Sequence, residues 1–161
     1  MRFITITFLL LCTFSLFAQD KRVGRYRDYF GNRIELNADS TFRYTWNFDL
    51  QSSWTKGSWT TLNDTVFFHM LPVYDTLRYT NQNNFSVDSL MLSTNEKSEI
   101  IRAVDTNVLL SYGQNYRVYP DKLFSRKGRL YKIRDGFLVK KKQKGSWTNK
   151  KWNPWYFKGD D

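Results

Sequence analysis

Eight consecutive residues, Thr41-Phe42-Arg43-Tyr44-Thr45-Trp46-Asn47-Phe48, alternate without a break: every even position is aromatic and every odd one polar. A period of two places four rings on one face of a strand and polar groups on the other, as a half-buried antiparallel sheet requires. The preceding Arg33-Ile34-Glu35-Leu36-Asn37 alternates in the same way, and Ala38-Asp39-Ser40 joins the two runs with turn-forming residues. A β-hairpin is therefore expected here, and with it an all-β chain.

The rest of the sequence repeats the pattern. Gly57–Leu62 and Thr65–Met70 read as strands joined through Asn63-Asp64, and Leu71-Pro72 ends that hairpin because proline has no donor for a ladder. Weaker strands follow near Thr76–Tyr79, Phe85–Ser93 and Ile100–Val104. Ser93-x-x-Glu96 also fits a capping box, which would open a short helix to about Ala103 instead. Further on, Arg129–Ile133 and Phe137–Lys141 flank Arg134-Asp135-Gly136, and Asp-Gly supplies the positive φ of a tight hairpin. The expected fold is an antiparallel meander of about eight to ten strands curled into a barrel or sandwich.

Residues 2–19 read differently. Arg2, an apolar run from Phe3 to Leu11 and Ser15-Leu16-Phe17-Ala18-Gln19 make an export signal, with cleavage expected near Ala18/Gln19. The chain is then expected outside the cytoplasm, periplasmic or secreted, as a single β domain over residues 19–161. Cys12 is the only cysteine and lies inside the signal, so no disulfide is expected after cleavage. Leu11 stands where a lipid-attachment motif would have a small residue, which favours a soluble product over a lipoprotein. No segment of residues 19–161 is apolar for long enough to cross a bilayer as a helix. Those 143 residues include 25 aromatic side chains, enough to want a sizeable core.

Charge is distributed unevenly. Residues 19–116 hold 10 Lys/Arg and 11 Asp/Glu, whereas residues 117–161 hold 14 and 4, a net of +10. A basic block of this kind attracts anionic surfaces in a salt-sensitive way. Within it, Lys140, Lys141, Lys142, Lys144, Lys150 and Lys151 interleave with Trp147, Trp152 and Trp155. Cations among aromatics suit sugars, lipid headgroups or a partner protein. The same rings also suit packing over a barrel end. A lipid, a glycan or an envelope protein is the expected partner, with nucleic acid behind them because the signal exports the chain.

Chemistry is sparse by comparison. One histidine, His69, cannot build a multi-histidine metal site, and no Gly-rich phosphate loop or zinc spacing occurs, so no cofactor and no catalytic constellation is expected. Acidic residues sit mainly at expected turns (Asp39, Asp64, Asp88, Asp135), where aspartate favours turn formation for its own reasons. Four triplets, Asp39-Ser40-Thr41, Asp64-Thr65-Val66, Asp75-Thr76-Leu77 and Asp88-Ser89-Leu90, resemble an O-glycosylation grammar found in some double-membraned bacteria. They would mark Ser40, Thr65, Thr76 and Ser89. A turn aspartate before a strand start gives the same triplet.

The strings Leu36-Asn37-Ala38-Asp39-Ser40-Thr41-Phe42, Gly57-Ser58-Trp59 and Asn63-Asp64-Thr65-Val66-Phe67-Phe68 resemble the small bacterial lipocalin-like proteins. Gly24-Arg25-Tyr26 stands where that family has G-x-W, with Tyr for Trp, and Ser40 replaces a turn glycine. The resemblance covers residues 24–70. It implies an up-and-down barrel with an internal pocket and names no ligand. In such a barrel Phe42, Tyr44, Trp46, Trp59 and Phe68 would line the pocket. The first functional reading is thus a non-catalytic envelope protein binding a small apolar or amphipathic ligand, or an anionic surface. A structural accessory protein docking through its basic aromatic end is the second, and a carbohydrate-active enzyme the third.

Overall fold

The computed structural model describes residues 20–49, 51–80, 82–102, 113–115 and 119–159. The expected export signal with Cys12 lies outside the described residues. Among them there is no helix, so none crosses a membrane. Five strands form an unbroken antiparallel meander: β1 (Gly24–Arg27), β2 (Asn32–Leu36), β3 (Thr41–Phe48), β4 (Gln51–Leu62) and β5 (Thr65–Met70). After an excursion, β9 (Lys122–Arg126) pairs with β5, β10 (Arg129–Arg134) with β9, and β14 (Tyr156–Lys158) with both β10 and β1. The result is a closed antiparallel barrel of eight strands, which leaves none of its own strands as a free edge. The all-β barrel expected from the alternation is what the chain forms.

The turns follow their chemistry. Asn63 and Asp64 at φ 49° and 62° turn β4 into β5, and Asp135-Gly136 at 51° and 78° turn β10 into β11 (Phe137–Leu138). Ser40 takes φ 64° in the β2–β3 turn, where Asp39 accepts the Thr41 amide (2.9 Å) and hydroxyl (2.7 Å).

Inside, the even-numbered rings of β3 meet the other strands. Phe42 and Phe68 pack edge-on at 4.9 Å, and Tyr26, Ile34, Leu36, Tyr44, Trp59, Val66, Leu123, Leu130 and Tyr156 complete the buried core. A fully buried Leu, Ile or Phe contributes roughly 1.5–3 kcal/mol, so this cluster holds the barrel together. The outward positions of β1–β4 carry Arg25, Arg27, Arg33, Glu35, Arg43 and Lys56. Apolar inside and charged outside is the reverse of a lipid-facing barrel.

Two excursions decorate the barrel. Between β5 and β9, β6 (Tyr74–Thr80), β7 (Ser86–Leu92) and β8 (Ile100–Arg102) form a separate sheet in which β8 runs parallel to β6. The helix expected from Ser93 does not form. Its capping box would need Glu96 to reach back to the Ser93 amide, but that amide donates to the Val73 carbonyl (2.8 Å) and Glu96 pairs with Arg43 (2.6 Å). Asp75, fully buried, instead accepts the amides of Thr94 (3.2 Å) and Glu99 (2.9 Å) and pins a loop. Between β11 and β14, β12 (Gln143–Lys144) and β13 (Lys151–Trp152) form a small hairpin. The basic region 117–161 is therefore no appendage: β9, β10 and β14 are three of the eight staves.

Candidate functional site: the open mouth of the barrel

The two ends of the barrel differ. At one, Asp20–Val23 crosses the opening: Arg22 bridges to Asp64 in the β4–β5 turn (2.8 Å), Tyr26 donates to the Arg22 carbonyl (2.8 Å) and Lys158 to that of Val23 (2.6 Å). Val23 packs on the core beneath. That end is shut. At the other, a cavity of about 370 Å3 opens between the barrel wall and residues 119–122, Val139 and Gln143.

Its floor begins in the β1–β2 loop. Asp28, whose side chain is wholly buried, accepts the amides of Phe30 (2.8 Å) and Asn32 (3.0 Å) and the Asn32 side-chain amide (2.7 Å). Gly31 makes the loop fit: its φ is 84°, and a Cβ there would lie 2.1 Å from the Asn47 carbonyl oxygen. Asn32 accepts a short hydrogen bond from the Tyr44 hydroxyl. Lys132 on β10 takes an inward position in the same row as Leu130 and reaches Asp28 at 3.5 Å and the Tyr156 ring at 5.3 Å. A cation aimed into a barrel breaks the apolar-in rule, and Asp28 is its compensation. Burial, with Asp28 adding a smaller push, drives the Tyr44 phenol well above its ordinary range. Burial does the same to Tyr156, with Tyr44 and Asp28 contributing less. Both phenols stay protonated, and that of Tyr44 serves as a donor to Asn32. Trp46, Tyr119, Lys122, Arg134 and Gln143 form the walls and rim.

The five rings expected to line one pocket divide between two roles. Tyr44 and Trp46 line the mouth, while Phe42, Trp59 and Phe68 are packed in the core, so the centre of the barrel is filled. The basic aromatic set divides too. Lys140, Lys141, Lys142, Lys144, Lys150 and Lys151 are all exposed along the connection outside the mouth. Trp152 stacks on Tyr29 (4.7 Å) and Trp155 tilts against Tyr131 (5.4 Å), which docks both on the barrel. Trp147 alone stands out, 84% exposed, its ring 4° from parallel with Phe48, which in turn lies 12° from parallel with Trp46. The three rings step from the cavity wall into solvent.

A larger groove of about 590 Å3 runs over the outer wall by Arg43, Lys56, His69 and Leu71. Its charges are already satisfied: Arg43 by Glu96, Lys56 by the Glu96 carbonyl (2.8 Å). His69 faces outward beside Thr60. The four expected glycosylation triplets share no structural setting. Ser40 is exposed in a turn, Thr65 opens β5 half-buried, and Thr76 and Ser89 lie on β6 and β7. Asp88 sits within β7, paired with Arg78 (2.8 Å), and not at a turn as expected.

Fold and site together define a class: a closed eight-stranded barrel, plugged at one end, with a polar cationic mouth at the other. No family model, curated protein or solved structure matches the chain. Sequence reasoning missed Asp28, Asn32, Lys132 and Tyr156. The available signal was Lys132, which stands at the position where the Leu130 alternation asks for an apolar residue.

Proposed function

We propose that this chain is an exported, non-catalytic binding protein whose mouth takes a small amphipathic ligand bearing an acidic group. The observation that carries this reading is the inward Lys132 at the base of a 370 Å3 cavity walled by Trp46, Tyr44 and Tyr156. A cavity of that size suits one small molecule. Rings offer it an apolar wall, and Lys122 and Arg134 at the rim, together with the Lys132 amine that Asp28 shares at 3.5 Å, offer its acid group charge. Asp28 is taken up by three donors and Lys132, so it serves as an anchor and not as an acid or base. The exposed Trp147 among lysines favours a second reading, a scaffold that docks a partner protein there.

Native mass spectrometry of the protein from its host's envelope fraction tests both the location and the cargo. The expected spectrum shows a chain beginning near Gln19 with an acidic small molecule bound. A chain retaining residues 1–18 contradicts export, and a bare chain favours the scaffold.

A further inference from the structure

The registers place four arginines in one row around the outside of the barrel. Arg126 on β9 lies opposite Arg129 on β10, Arg129 opposite Phe157 on β14, Phe157 opposite Arg27 on β1, and Arg27 opposite Arg33 on β2. All four arginines are exposed, and among the described residues none makes an ion pair. Like charges directly opposite one another in a sheet destabilise it, and here that arrangement occurs twice. Packing does not call for it, since outward positions accept any polar residue.

The row is also furnished. Arg27 lies over the Phe157 ring (5.3 Å) and Arg129 over Trp155 (5.5 Å), while Tyr29 packs on Phe157 at 5.1 Å. Such contacts hold guanidinium groups in place without neutralising them. At the β2 end the row opens into a cleft of about 550 Å3 that Arg25 and Arg43 also line, each paired with an acid, Glu35 and Glu96; at the β9 end a cleft of about 260 Å3 adds Lys127 and Lys140.

We infer that this row is a binding track for a linear acidic polysaccharide. Three features select that partner. Five neighbouring strands of an eight-stranded barrel cover half its circumference, about 19 Å along the strand-to-strand direction, so a flat lipid surface cannot touch both ends while a flexible chain follows the curve. Arginine forks bind carboxylate and sulfate groups in two-pronged fashion. Between them, the Phe157 and Trp155 rings hold the Arg27 and Arg129 guanidinium groups in place, so the forks form a fixed array that matches the repeating acids of such a chain. The N-terminal export signal removes the chain from intracellular nucleic acid, so this choice of polymer rests on the exported reading. The track itself shares no residue with the floor of the mouth.

The test is calorimetric titration of the full chain with polygalacturonate at two salt concentrations. Arg27→Gln, Arg33→Gln, Arg126→Gln and Arg129→Gln combined are expected to weaken binding at least about tenfold and to flatten its salt dependence. The Lys132→Gln variant is expected to bind the polymer as the unaltered chain does, which separates this inference from the mouth ligand. Relieving the opposed arginines leaves thermal stability equal or higher, so loss of binding is not loss of fold. If fold is lost, Arg33→Gln alone serves, expected to weaken binding about threefold. Unchanged affinity in the combined variant overturns the track. So does tighter binding to single-stranded DNA or to phosphatidylglycerol vesicles than to polygalacturonate.

Discussion

Replacing Asp28 with alanine is expected to destabilise the fold by about 4 kcal/mol, a fall of roughly 10–15 °C in Tm for a chain of this size. The alanine leaves two buried donors, the Asn32 amide and side chain, and the part-buried Phe30 amide with no acceptor. It also removes the carboxylate opposite Lys132. Stranding a buried donor costs about 1–3 kcal/mol each, and Lys132, about one-third exposed, recovers part of its own loss through water. Asp28→Asn separates charge from shape. The amide oxygen still accepts the backbone donors, but its NH2 faces the Asn32 side chain donor to donor, and a loss of about 2 kcal/mol is expected. Urea unfolding midpoints measure both. If alanine costs under about 1 kcal/mol, the carboxylate does not organise the mouth.

The second large effect is alkaline. Tyr44 and Tyr156 lose their protons far less readily in the folded barrel than in the unfolded chain, chiefly because burial disfavours the phenolate. The folded state therefore holds more protons above the ordinary tyrosine range, and stability falls as pH rises. The contribution is complete below about pH 10, where unfolded tyrosine is protonated too, and is lost above it at about 1.4 kcal/mol per pH unit for each residue. Together the pair steepens the fall to at most about 3 kcal/mol per pH unit, for as long as both phenols stay protonated in the fold. Tyr44→Phe gives up the hydrogen bond to Asn32, about 1 kcal/mol at neutral pH, yet makes the alkaline slope shallower, with Tyr26 and Tyr119, also raised by burial, adding to what remains. Unfolding free energies on either side of pH 10 follow this, and a slope indifferent to Tyr44→Phe contradicts it.

Much of the barrel was legible because local chemistry and global packing agree. The rings of β3 follow the period of a strand, and Asn63-Asp64 and Asp135-Gly136 turn where positive φ is needed. Closure was not legible. No local pattern says that Tyr156–Lys158 pairs with Gly24–Arg27, so a basic end that supplies three staves read chiefly as a docking surface. The mouth stayed hidden for the same reason: Asp28 and Lys132 meet only after β14 brings β1 and β10 together. The arginine row was masked by arithmetic. Residues 19–116 are nearly neutral in sum, yet Arg25, Arg27, Arg33 and Arg43 share one outer wall with a single acid, Glu35, in the cleft they line. The misread helix shows the limit of a motif whose partners are claimed elsewhere, Ser93 by Val73 and Glu96 by Arg43.

The mouth's cation is tested most directly with 8-anilinonaphthalene-1-sulfonate, a probe that joins apolar rings to a sulfonate. Fluorescence titration of the full chain should saturate at one site, and Lys132→Gln should weaken that site at least about tenfold, the loss of one charged contact in a half-buried setting. Changing Lys140, Lys141, Lys142 and Lys144 to serine should leave it within about twofold, since they lie outside the cavity. Equal binding by Lys132→Gln and the unaltered chain would contradict a ligand held at the mouth.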